Sequence, residues 1–129
     1  MSLLLDTHVI LCFLANDPKL SQLALTAILD PLNIRWVSPI SLLEIAFKNR
    51  IGKLPLPEPF GQMFPASLTA ADIHLLPMEA QHIEPLTTLV LHHKDPFDRI
   101  LIAQAMVEGI ALLTADPLLA QYPGPVRSI

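Results

Sequence analysis

The chain has 129 residues, of which 52% are hydrophobic and only 16% charged, with a mean hydropathy of +0.50 and a formal net charge of -4. That length suits a single domain over residues 1–129 that buries a core without staples, and a pI near 5.6 argues against indiscriminate nucleic-acid binding, which usually shows as a basic domain. The lone Cys12 excludes an internal disulfide, every apolar run breaks before the roughly 18 residues a membrane helix needs, and no basic leader with an apolar core opens the chain, so a cytoplasmic location is expected.

Leu3-Leu4-Leu5 is a short apolar run that reads as a buried parallel strand with Asp6 at its carboxyl end. His8 to Leu14 then reads as a short helix stopped by Asn16-Asp17-Pro18, and Ser21 caps a second helix running to about Leu29. Trp36-Val37 is a second strand. Ser38-Pro39-Ile40-Ser41 leads into a helix over Leu42 to Lys48, with Glu44 in its first turns and Gly52 closing it. The stretch from Leu54 to Pro59 is too proline-rich for a helix or central strand and suggests a stiff extended connection. A weak helix is expected over Phe60 to Leu68, a third strand over Ile73 to Leu76, and a helix over Glu79 to Leu91 that Pro85 threatens to break. Ile100 to Val107 forms a helix ending at Gly109, Ile110 to Thr114 a fourth strand with Asp116 just past it, and a last strand falls near Val126. Strands alternating with helices predict a three-layer α/β/α sandwich with a mostly parallel central sheet.

In open α/β sheets, ligands bind outside the carboxyl ends of the strands. Asp6 and Asp116 follow strands, and Glu44 and an acid of the Asp95/Asp98 pair open helices, so four carboxylates are expected at one edge. Each acid taken alone also fits a helix cap or turn; Asp6 has the least obvious capping duty, and spacing does not choose between Asp95 and Asp98. Together the four would repel unless a cation lay among them. A carboxylate set without Cys suits Mg²⁺ or Mn²⁺ better than zinc, and such ions activate water and stabilise phosphoryl charge.

LLLDTHVILCFL, SPISLLEIAFKNRIGKLPLP, DPFDRILIAQA and LLTADPLLAQYP, in this order and spacing, resemble the PIN-domain ribonucleases, in particular the VapC toxins of type II toxin-antitoxin modules. The resemblance spans nearly the whole chain. It implies that Asp6, Glu44, Asp98 and Asp116 are the catalytic, metal-binding acids of an Mg²⁺- or Mn²⁺-dependent endoribonuclease leaving a 5'-phosphate and a 3'-hydroxyl. It selects Asp98 and leaves Asp95 a cap or outer acid, and it matches Thr7 and Thr114 to small polar positions that support the cluster. The partners it implies are RNA of the tRNA or rRNA class, a VapB-like antitoxin whose segment wraps apolar grooves and reaches the acids, and a second copy in a homodimer. Leu43 departs from relatives that carry Trp, and Pro117 and Gly124 fall in a variable tail.

Arg99, Lys48, Arg50, Lys53 and Lys94 are candidates for holding RNA phosphates beside the acids. For Lys48 and Arg50 the alternative is a solvated helix end whose cations complement the dipole. His8 reads as a helix-start residue packed on the first turn, and His92 and His93 as solvent-facing. The apolar faces of Leu11 to Leu14 and of Leu42, Ile45 and Ala46 are candidate grooves for a partner, with core packing the commoner use of any one of these residues. Two other classes compete with the nuclease. A receiver-like signalling domain would want an Asp after its third strand and a Lys after its fifth, and neither is evident; a catalytically inactive PIN fold used for binding would not need the four acids intact.

Overall fold

The computed structural model describes residues 1–89, 95–116 and 126–128. Five strands, β1 (Ser2–Leu5), β2 (Ile34–Val37), β3 (His74–Leu75), β4 (Ala111–Thr114) and β5 (Val126–Ser128), form one sheet in the order β3-β2-β1-β4-β5. Every pairing is parallel, with Leu4 opposite Trp36 on one side and Leu112 on the other. From β1 the chain builds outward to β2 and β3, then returns to place β4 and β5 on the opposite side. The order therefore reverses between β1 and β4, which is where an open α/β sheet parts at its carboxyl edge to make a crevice.

Side-chain alternation along β1 divides the core. Leu3 and Leu5 pack with Val9 and Ile10 of α1 (Thr7–Leu14), Ile28 of α2 (Gln22–Leu29), Ile45 of α3 (Pro39–Arg50) and Leu68. Leu4 points the other way, onto Leu101, Ile102 and Ala105 of α6 (Pro96–Glu108). Period-two alternation thus gives each face of the sheet its own helical layer, and the expected three-layer sandwich follows.

Helix ends explain where the sequence reading needed extension. Ser38 accepts a hydrogen bond from the Ile40 amide and Pro39 takes the first helical position, so α3 begins three residues before the expected Leu42. Asp95 and Pro96 do the same for α6, which begins four residues before Ile100. Gly109 ends α6 in the left-handed region at φ 66°, a conformation that costs a residue with a Cβ about 1 kcal/mol or more.

Other expectations are corrected. Phe60 to Leu68 is two short helices, α4 (Phe60–Met63) and α5 (Ala66–Ala70), because Pro65 removes a donor where one helix would need it. No α-helix forms over 79–89; Ala80–His82 and Glu84–Thr87 are two 3₁₀ turns that break at Ile83, with Pro85 in the first positions of the second. Of the two uses open to Leu42 and Ile45, groove or core, the structure shows core: Ile45 is fully buried and Leu42 packs on the same cluster. Leu43, Phe47 and Ile51, four apart along the same side, are the exposed apolar residues of this region. Among the described residues no helix is long and apolar enough to cross a membrane.

His82 ties the 3₁₀ segment to α6. Its Nδ1 accepts from the Glu79 amide at 2.9 Å, so the ring proton sits on Nε2, which donates to Glu108 Oε1 at 2.8 Å. The ring is fully buried. His82→Ala leaves a cavity and two unpaired groups, and is expected to cost roughly 2–4 kcal/mol in urea unfolding. A loss below about 0.5 kcal/mol would show that the tie contributes nothing.

Candidate active site

Asp6 leaves the end of β1 and immediately caps α1. Its Oδ1 accepts from the Val9 amide at 2.8 Å, and its Oδ2 accepts a short hydrogen bond from the Thr114 hydroxyl. The expectation that Asp6 has little capping duty is therefore corrected: one oxygen caps, and the other faces β4. Thr114 also accepts from the Asp116 amide at 3.0 Å, so a single hydroxyl links the ends of the two central strands.

Glu44 comes from the opposite direction, in the second turn of α3. It has no cap role, because Ser38 already serves there. It is 5% exposed, and Thr7 donates to its Oε1 at 2.7 Å while Ser41 Oγ stands 3.0 Å from the same hydroxyl. Its second oxygen, Oε2, takes the Lys48 ammonium at 2.5 Å. Asp95 caps α6 through the Phe97 amide at 2.9 Å, and Asp98 lies in the helix's first turn.

These residues line one cleft of about 560 Å³ at the β1/β4 crevice: Asp6, Glu44, Asp95, Asp98 and Asp116, with Thr7, His8 and Lys48. Burial is the main cause that pushes the Asp6 carboxyl above its ordinary range, and the negative Asp116 adds to it, against the hydrogen bonds from Thr114 and Val9 and the nearby His8. The hydrogen bond to Glu44 is the main cause holding the Lys48 ammonium above its usual value; burial opposes it, while Glu44, Asp95 and Asp98 reinforce it by charge.

An all-oxygen donor set of this kind fits a hard divalent cation, whose charge would offset the burial of Asp6 and the mutual repulsion of the acids. Among the described residues, however, no three His, Cys, Asp or Glu side chains are gathered as a ready-formed metal cluster. Lys48 supplies the positive charge at Glu44 instead. Cys12 does not line the cleft, and its thiol is raised chiefly by burial.

A PIN domain profile matches residues 3–125. The chain belongs to the PIN domain family. Its fold is similar over 99% of its length to a chain in the crystal structure of VapBC2 from Rickettsia felis bound to a promoter DNA fragment, at TM-score 0.69 and 16% identity, with 98% of that chain covered. DNA-bound VapBC from Salmonella typhimurium matches at TM-score 0.60 and 15% identity, over 99% of this chain and 98% of that one. VapBC-1 from nontypeable Haemophilus influenzae matches at TM-score 0.60 and 19% identity, over 94% and 91%. No curated protein sequence matches the chain. At these identities the likeness shows the fold alone.

Of the cations considered for RNA, Lys48 lines the cleft of this PIN domain; Arg50 and Lys53 are exposed and are not among its lining residues, and Arg99, half-buried next to Asp98 on α6, is not among them either. Lys94, His92, His93, Pro117 and Gly124 lie outside the described residues. Three cleft features were missed in the sequence. His8 lines the cleft as well as lying on α1, where its Nε2 is 3.6 Å from Cys12 Sγ; Ser41 is fully buried beside Thr7, and Lys48 pairs with Glu44 rather than with the helix end. The last two had a signal: Ser41, Glu44 and Lys48 share one side of α3 at spacings of three and four.

Proposed function

We propose that this PIN domain is an Mg²⁺- or Mn²⁺-dependent endoribonuclease, the toxin of a type II toxin-antitoxin module. The observation that carries the reading is the convergence of Asp6, Glu44, Asp98 and Asp116 on one cleft at the β1/β4 crevice. Asp6 and Glu44 would hold the cation from the sheet side and from α3, with Asp98 and Asp116 facing them across the cleft. A bound divalent cation would supply an activated water and a Lewis acid for phosphodiester hydrolysis. Thr7 and Thr114 fix the two buried carboxylates by donating to one oxygen of each, which limits the reorganisation that binding requires. Lys48 is the cleft's cation for a substrate phosphate.

The VapBC likeness supports a VapB-like antitoxin as partner. The exposed Leu43, Phe47 and Ile51, together with the apolar cleft between Leu11 and Leu14 of α1 and the Leu54-to-Pro57 connection, support burial by that partner or by a second copy. A cytoplasmic site of action belongs to the same reading.

Purified protein incubated with total RNA is expected to cleave it with Mg²⁺ or Mn²⁺ and to stop in excess EDTA, with activity restored when the ion is returned. The products are expected to carry 5'-phosphates. Cleavage that persists in EDTA would overturn the metal-dependent reading.

A further inference from the structure

Glu44 has one fixed oxygen and one exchangeable oxygen. Oε1 accepts at 2.7 Å from Thr7, a buried residue at the start of α1 whose hydroxyl also has the buried Ser41 Oγ at 3.0 Å, so this contact is part of the packed interior. Oε2 is held by Lys48, whose side chain is 38% exposed and reaches the carboxylate on a flexible four-carbon stem from one turn further along α3. Among the described residues, the ammonium is thus the partner of Glu44 that can leave without opening the core. It also stands where its charge is needed, since Asp95 and Asp98 act on it from α6 across the cleft.

We infer that Lys48 is a counter-ion latch: it neutralises Glu44 when the cleft lacks a divalent cation, yields Glu44 Oε2 when one enters, and is thereby released toward the substrate phosphate. The inference rests on the reading of the cleft as a divalent-cation site. A single lysine then couples the two binding events, because the cation must displace the ammonium and the displaced ammonium gains a new anionic partner only when RNA is present. Electrostatics alone argues for the exchange. A monovalent ammonium satisfies one carboxylate, whereas a divalent ion among several acids satisfies more than one.

Removing the latch therefore has opposite effects on the two ligands. Lys48→Met keeps the apolar stem and deletes the charge, and is expected to bind Mn²⁺ roughly three- to ten-fold more tightly than the parent in calorimetric titration at low salt. The same variant, titrated with a short non-cleavable RNA in the presence of Ca²⁺, is expected to bind several-fold more weakly. Lys48→Arg retains a cation and is expected to keep parental Mn²⁺ affinity. Lys19→Met, an equal charge change at an exposed loop, is expected to leave Mn²⁺ affinity unchanged. Melting curves establish that each variant is folded, with Lys48→Gln replacing the Met variant if that one is not. Parental protein that binds no Mn²⁺ overturns the cation-site reading and the latch with it. Parental binding with a Lys48→Met affinity equal to or weaker than the parent's overturns the latch alone, as does tightening in Lys19→Met of the same size.

Discussion

Asp6→Asn is expected to melt at a higher temperature than the parent in the absence of divalent cations, and to cleave RNA at least about 10³-fold more slowly when they are present. The two effects share one cause. The Asp6 carboxylate is 4% exposed, and burial is the largest influence raising it above the ordinary value of 3.8. The fold therefore favours the protonated form. The stability contributed by this group is fully present below the unfolded pKa and is lost as pH rises through the higher folded value, so at pH 7 the metal-free protein carries a buried charge at a cost. Asn caps α1 as well as Asp does and keeps an acceptor for the Val9 amide. Its gain is expected to be about 1 kcal/mol at pH 7, or roughly 4 °C, shrinking as the pH is lowered toward 4. Saturating Mn²⁺ should reverse the order, since an ion at a hundred times its dissociation constant stabilises the parent by about 2.7 kcal/mol and the variant by far less. A metal-free Asp6→Asn that melts below the parent at pH 7 and equally below it at pH 4 would refute the assignment of a buried, destabilising charge.

Much of this site was legible because its parts obey local rules. An acid that ends a run of three leucines lies at a strand's carboxyl edge, and an acid before an apolar helical run lies in a first turn; parallel topology then brings both to one side. What was not legible depends on contacts between distant segments. Asp6 caps a helix and also receives Thr114 from 108 residues away, and only the pairing of β1 with β4 makes that second bond visible. For Lys48 the sequence leaves a phosphate-binding role and a helix-end role both open, because spacing alone does not say whether a lysine turns toward the C-terminal dipole or back to an acid four residues earlier. Tertiary burial of Glu44 decides it, since a buried carboxylate needs a partner more than a solvated helix end does. The stretch over 79–89 shows the opposite failure. Its apolar spacing was compatible with a helix, but Pro85 forbids a continuous ladder, and His82 finds its partner in Glu108 on α6 instead.

The Asp95 and Asp98 pair puts the division of labour on α6 to a direct test. Asp95 accepts the Phe97 amide and starts the helix, a duty that Asn performs equally well. Asp98 sits one turn in, on a helix whose Leu101, Ile102 and Ala105 are locked into the core, so its backbone position is set by packing rather than by the cleft. Asp98→Asn is expected to melt within a few degrees of the parent, to cleave RNA on the order of 10³-fold more slowly, and to lose affinity for Mn²⁺. Asp95→Asn is expected to lose less than about ten-fold in cleavage, because it lines the same cleft without being required to face the ion. Single-turnover cleavage of one RNA by both variants at matched Mn²⁺ separates the roles. Equal losses would place both acids on the reacting centre, and an Asp98→Asn that cleaves like the parent would remove α6 from the chemistry altogether, leaving its first turn as a scaffold for a site formed by the other three acids.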